Sequence, residues 1–151
     1  MDRFHRGLAA GIIAGIPMNI WDLFSYHYLK FSNLRYLDWN SVMIFGHLPY
    51  TMGEVIFALL SQFLLAGFLG MIFTYLIELK ITSRNHWLKG VVFGYLAGYL
   101  IFAVAVTFQV PYIITRSLDT VITQFIGALI WGLTMSYILS WLDKTKLVEK
   151  K

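Results

Sequence analysis

Residues 52–79 read MGEVIFALLSQFLLAGFLGMIFTYLIEL, with carboxylates only near the ends of the run, at Glu54 and Glu78. A helix that crosses a bilayer needs about 20 mostly apolar residues, so this stretch is read as a transmembrane span. Thr51-Met52-Gly53-Glu54 at its start has the form of a capping box, in which a Thr hydroxyl and a Glu carboxylate satisfy opening backbone donors. Three further runs share its character. Residues 7–29 follow Arg3 and Arg6, the layout of a signal peptide. The run outlasts a typical signal and no small-x-small cleavage site follows, so a retained span is expected. Residues 87–110 end at Pro111, and residues 119–142 open on Asp119 as an N-cap.

Composition agrees with four spans. The chain has 151 residues, 58% of them hydrophobic, with a mean hydropathy of +0.67. Charged residues are 13%, about half the roughly 25% of a soluble domain. Disorder and an ordinary soluble domain are excluded. Four spans with short loops use up the length, leaving a single all-α membrane domain over 1–151 and no room for a soluble catalytic domain. There is no Cys, which removes disulfides, thiolate metal sites and cysteine nucleophiles.

The formal charge of +4 is not spread as a nucleic-acid footprint. Arg3, Arg6, Lys80, Arg84, Lys89, Lys144, Lys146, Lys150 and Lys151 fall on one side of the spans, and Lys30, Arg35 and Arg116 on the other. Positively charged connections stay inside, so both termini are expected in the cytoplasm of a multi-pass plasma-membrane protein, with residues 143–151 a basic tail. That tail fixes topology or also touches anionic headgroups. Trp87 and Trp141 at the inner ends, and Trp39 and Tyr50 at the outer face, read as an aromatic belt. In the long outer loop, Asp38 to Gly46 runs from an N-cap candidate through apolar residues to Gly. A short helix lying in the interface is expected there.

Two halves of the chain match. Arg6-Gly7-Leu8-Ala9-Ala10-Gly11-Ile12-Ile13-Ala14-Gly15 aligns with Lys89-Gly90-Val91-Val92-Phe93-Gly94-Tyr95-Leu96-Ala97-Gly98, each holding GxxxGxxxG. Ser61-Gln62-Phe63, Ala66, Gly70 and Thr74-Tyr75 align with Thr123-Gln124-Phe125, Ala128, Gly132 and Ser136-Tyr137. The fold expected is therefore two parallel-repeat helical hairpins, repeat one 1–80 and repeat two 84–144, related by an axis along the membrane normal. Gly7, Gly11 and Gly15 form one smooth groove and Gly90, Gly94 and Gly98 another, suited to close backbone approach. Spans one and three are expected to cross along these grooves, the alternative being a homodimer seam.

Polar residues inside the spans are the candidate site. Asn19, Asp22 and Tyr26 share a helix face, just after Pro17, which frees a carbonyl one turn earlier. Gln62 and Gln124 fall at a similar depth. Asp22 is the only carboxylate deep in a span, and such residues are usually functional or paired. With no Lys or Arg placed at its depth by the spans, its expected partners are Asn19, Tyr26, Gln62 or Gln124. It is read either as a proton- or cation-responsive site or substrate contact, or as a neutral hydrogen-bonding strut or a carboxylate wetted from the outer surface. Their counterparts in the second copy of Asn19 and Asp22 are Phe102 and Ala105, so any site is asymmetric. His27, His47 and Glu54 on the outer side are weak metal candidates with no ligand spacing, and no metal or cofactor is expected. No nucleophile–base pair or phosphate loop marks an enzyme.

Ser25-Tyr26-His27-Tyr28-Leu29-Lys30-Phe31 closing span one, with Lys89-Gly90-Val91-Val92-Phe93-Gly94-Tyr95 opening span three, resembles small four-helix integral membrane proteins of Gram-positive bacteria that have no assigned activity. The resemblance implies a fold and supplies no catalytic residues. The expected function is that of a small integral membrane protein with a polar site in the outer half of its bundle, binding or passing a small polar solute or ion. The alternative is a structural or assembly subunit of a larger membrane complex. The lipid bilayer, a second copy or a larger complex are its expected partners, and nucleic acid is not.

Overall fold

The structure is a computed structural model that describes residues 2–80 and 85–149, with the side chains of 77–80 and 143–149 outside the description. Lys80, Arg84, Lys144, Lys146, Lys150 and Lys151, which carry most of the charge asymmetry, therefore lie outside the described side chains. The elements are α1 (Arg3–Phe24), continued by a π-helical turn (Ser25–Leu29), α2 (Tyr36–Phe45), α3 (Met52–Lys80), α4 (His86–Thr107) and α5 (Leu118–Glu149). Among the described residues there is no strand. Arg3–Leu29, Met52–Leu76, His86–Thr107 and Leu118–Leu142 are each long and apolar enough to cross a membrane.

Helix ends follow local chemistry. Asp2 caps α1, its carboxylate accepting from the Arg3 N–H at 2.6 Å. Thr51 and Glu54 form the expected box on α3: Oγ1 of Thr51 accepts from the Glu54 N–H at 3.2 Å, and Oε2 of Glu54 accepts from the Thr51 N–H at 3.4 Å. Three expected ends move. The N-cap of α5 is Ser117, whose Oγ accepts from the Thr120 N–H at 3.3 Å, while Asp119 sits in the first turn. The α2 helix begins at Tyr36, with Arg35 as N-cap, and Asp38 lies one turn in. The α4 helix stops at Thr107, before Pro111, and positive φ at Gln109 and Tyr112 turns the chain toward α5.

The glycine grooves do not meet each other. Each packs within its own hairpin, which corrects the expected crossing of the first and third spans. A Cβ on Gly7 would sit 2.6 Å from Met71 Cα, and one on Gly70 would sit 2.8 Å from Gly11 Cα. In the second hairpin a Cβ on Gly94 would lie 2.6 Å from the Ala128 carbonyl oxygen and 3.3 Å from Gly132 Cα. The backbones α1 against α3 and α4 against α5 are thus too close for side chains at these positions. The reason is that hairpin neighbours are already adjacent, so small residues on facing ridges dock there first. Gly98 is different, since a Cβ there would meet only Ala128 Cβ at 3.8 Å.

The hairpins join through α1 and α5. Trp131 Nε1 donates to the Gly11 carbonyl at 3.0 Å, Trp21 Nε1 donates to the Thr123 carbonyl at 3.0 Å, and the Ser25 and Thr123 hydroxyls are 3.0 Å apart. The core here comprises Ala10, Ala14, Met18, Ala66, Phe73, Trp131, Met135 and Leu139. By contrast α3 and α4 touch mainly at the end bearing the chain termini, where the rings of Phe73 and Phe93 are 5.0 Å apart. Toward the α2 end they leave a cavity.

Candidate functional site

The α2 end of the bundle is organised by Asp22. Its carboxylate, 1% exposed, accepts from the Tyr36 N–H at 2.8 Å. That N–H is one of the donors a helix leaves unsatisfied at its start, and a carboxylate there also meets the positive end of the helix dipole. Asp22 therefore points into the interior, but its partner is the start of α2 and not Asn19, Tyr26, Gln62 or Gln124. The sequence reading missed this because the partner is a backbone group of a loop segment, which carries no residue-type signal. Oδ1 of Asp22 is buried without a hydrogen-bond partner.

Tyr36 pins α2 from both sides. Its N–H goes to α1, and its hydroxyl donates to the Gln124 carbonyl of α5. The ring lies over Gly127, where a Cβ would be 2.9 Å away. Burial raises the Tyr36 hydroxyl well above the ordinary tyrosine range, so it stays a donor. The Arg35 N–H donates to Asp38 Oδ2 at 2.8 Å, and its guanidinium forms an ion pair with Asp38 at 2.8 Å. Burial works against the Arg35 charge, but the Asp38 hydrogen bond and the Asp38, Tyr26 and Asp22 fields hold its pKa above the usual arginine value.

The five candidate residues fall into separate groups. Gln62 Nε2 donates to Asn19 Oδ1 at 3.1 Å, and Asn19 Nδ2 donates to the Gly15 carbonyl at 2.8 Å. This buried pair joins α1 to α3. Tyr26 lies under the Arg35 guanidinium, 5.0 Å from ring centroid to Cζ. Gln124 accepts from Arg116 Nη1 through its Oε1. Arg35 and Arg116 lie outside the candidate spans, as expected, and their loops fold against the bundle so that Arg35 reaches Tyr26 and Arg116 reaches Gln124.

Arg116 is the residue sequence reasoning missed. Half-buried, its guanidinium lies 3.6 Å from the Phe102 centroid and 4.6 Å from that of Trp39. Burial pushes its pKa down to about 10, which leaves it charged at neutral pH. Its Nε is buried without a partner, and among the described residues it forms no ion pair. Trp39, expected in the lipid-facing belt, is only 8% exposed because this cation and Phe102 cover it. Trp87, Trp141 and Tyr50 are exposed.

Arg116, Gln124 and Gln62 face a cavity of about 570 Å³ between α3 and α4, roofed by Trp39 and Met43 of α2. The size falls in the roughly 300–1,000 Å³ range of ligand sites. The other walls are mostly apolar. Leu65, Tyr99, Leu100 and Val104 line it and are also exposed at the bundle surface, so the cavity opens sideways between the two helices. Gln62 Oε1 is buried without a partner at its wall. Asn19 and Asp22 do not line it.

The metal candidates do not converge. Glu54 is engaged with the Tyr50 and Thr51 N–H groups, His47 Nδ1 is 2.8 Å from the Leu48 carbonyl, and His27 packs edge-on against Tyr26. Among the described residues no cluster of three such ligands forms. No known protein family, curated protein or solved structure matches this chain.

Proposed function

We propose that the protein is an integral membrane protein of two duplicated helical hairpins that binds a small ligand in the cavity between α3 and α4. The observation that carries the reading is that cavity: ligand-sized, open at one side, with Arg116, Gln62 and Gln124 among mostly apolar walls. Binding fits such walls better than passage of an ion, which needs polar lining along its path. Membrane insertion is supported by the apolar residues on the outer faces, such as Ile20 and Leu64, each 64% exposed. Both termini in the cytoplasm and α2 lying in the outer interface complete the proposed topology.

The duplication is supported by contacts that recur at the sequence offsets. The Gly11 site abuts the Ala66 carbonyl, and the Gly94 site abuts that of Ala128. The Gly7 site abuts Gly70 and Thr74, and the Gly90 site abuts Gly132 and Ser136. A two-fold exchange of the hairpins pairs the α1–α5 seam with an α4–α3 seam. The first is filled by Trp21 and Trp131. Their counterparts are Val104 and Leu69, and the cavity lies there.

The test is extraction. Small molecules released by denaturing the purified wild type are compared by mass spectrometry with those from Leu69→Trp, which restores a ring to the open seam. A compound held by the wild type and lost from the variant is expected; identical extracts overturn the reading. A structural or assembly role is the second reading, favoured by α4, of which only 17% is buried. Stoichiometric co-purification of a larger membrane protein along α4 supports it.

A further inference from the structure

Resting on that cavity, we infer that its ligand is a membrane amphiphile with an oxyanionic headgroup, its head at Arg116 and its chain along the α3–α4 opening. Three observations combine. The first is charge. Arg116 holds a cation half-buried on the faces of Phe102 and Trp39, with Gln124 as its hydrogen-bonded neighbour and, among the described residues, no ion pair to a carboxylate. A guanidinium presents a planar fork that matches carboxylate or phosphate oxygens. Nη1 is taken by Gln124 and Nε is buried and unpartnered, so the protein leaves part of the guanidinium's hydrogen-bonding capacity unmet.

The second is the shape and chemistry of the remainder. Beyond Arg116 the walls become apolar, with Leu65, Leu69, Ile101 and Val104 on the two facing helices. A free inorganic anion has no use for such a chamber, and a purely apolar molecule leaves the cation unmatched. An amphiphile satisfies both. Gln62, whose Oε1 is buried and without a donor, adds an unmatched polar group to the cavity wall.

The third is access. The exposed lining residues place the mouth between two candidate spans and not at a loop surface. A ligand dissolved in the bilayer enters there without crossing water. Under the proposed duplication the equivalent seam is that between α1 and α5, and there Trp21 and Trp131 fill the space with bonds to the Thr123 and Gly11 carbonyls.

The experiment uses the purified full chain in a neutral detergent and counts bound ligand by native mass spectrometry. The probes are lysophosphatidylglycerol, monoolein and inorganic phosphate. The wild type is expected to take one lysophosphatidylglycerol at a concentration at least tenfold below that needed for monoolein, and no phosphate. Arg116→Gln is expected to remove the preference and keep the weaker monoolein binding. Leu69→Trp with Val104→Trp is expected to block both lipids. Should that double variant not fold, Gly98→Leu, at the helix position with room for a side chain, serves in its place. Equal binding of the two lipids by the wild type, or an unchanged preference in Arg116→Gln, overturns the headgroup assignment and leaves the cavity reading standing. Phosphate binding as tightly as lysophosphatidylglycerol overturns the amphiphile assignment in favour of a soluble anion. Lipid counts that the seam-filling variants leave unchanged overturn the cavity itself.

Discussion

Replacing Asp22 by Ala removes the acceptor for the Tyr36 N–H, a bond of 2.8 Å between residues that are buried or half-buried. A buried donor left unmade costs about 1–3 kcal/mol, and loss of a carboxylate at a helix start adds about 0.3–1 kcal/mol. Against this, the variant relieves the unpartnered Oδ1. The net expectation is a loss of about 2 kcal/mol, concentrated on α2. Asp22→Asn keeps an acceptor oxygen in place and is expected to cost under about 1 kcal/mol by the same reckoning. Stability is read by denaturant titration in mixed micelles, and location by amide exchange. Faster exchange across Tyr36–Phe45 with little change in the α1–α3 seam is the expected pattern for Ala. Two results refute the reasoning: wild-type stability in Asp22→Ala, or an Asn variant as damaged as the Ala variant. The second would mean that charge, and not an acceptor at that position, holds α2.

Gly11→Ala and Gly94→Ala should each lose about 1–3 kcal/mol, because the new methyl meets backbone across the seam, whereas Gly98→Ala should be neutral or gain up to about 1 kcal/mol from helix propensity; thermal unfolding in detergent checks all three. Trp131→Phe should cost about 0.5–1.5 kcal/mol by losing its bond to the Gly11 carbonyl, read as a shift in denaturant midpoint. A reporter active only in the cytoplasm, fused after Lys151, should be active, and one placed in the loop before Tyr50 should not. Gly46→Ala should destabilise the end of α2, since φ there is +78°, by about 1 kcal/mol, visible as faster exchange at its last turn.

The run over residues 52–79 and its three companions were enough to establish the helices, because bilayer-length apolar runs leave the backbone no other way to satisfy its hydrogen bonds. The capping pair Thr51 and Glu54 was legible for a similar reason: both partners lie within one turn. The small-residue ridges were visible too, but a ridge does not name its partner, and the docking of Gly11 on Ala66 and Gly94 on Ala128 was decided by hairpin adjacency. The polar groups Asn19, Asp22, Gln62 and Gln124 were identifiable as costly inside a span, and Asn19 does meet Gln62. What Asp22 meets is a backbone N–H supplied by a loop, and what gives the cavity its charge is Arg116, a loop residue counted as external by its position in the chain. Loops are placed by long-range packing, here Tyr36 on Gly127 and Arg116 on Phe102 and Trp39, and no local periodicity encodes that. The cavity depends on packing for the same reason. Val104 and Leu69 are ordinary span residues in sequence, and only beside the seam filled by Trp21 and Trp131 does their smaller size become an opening.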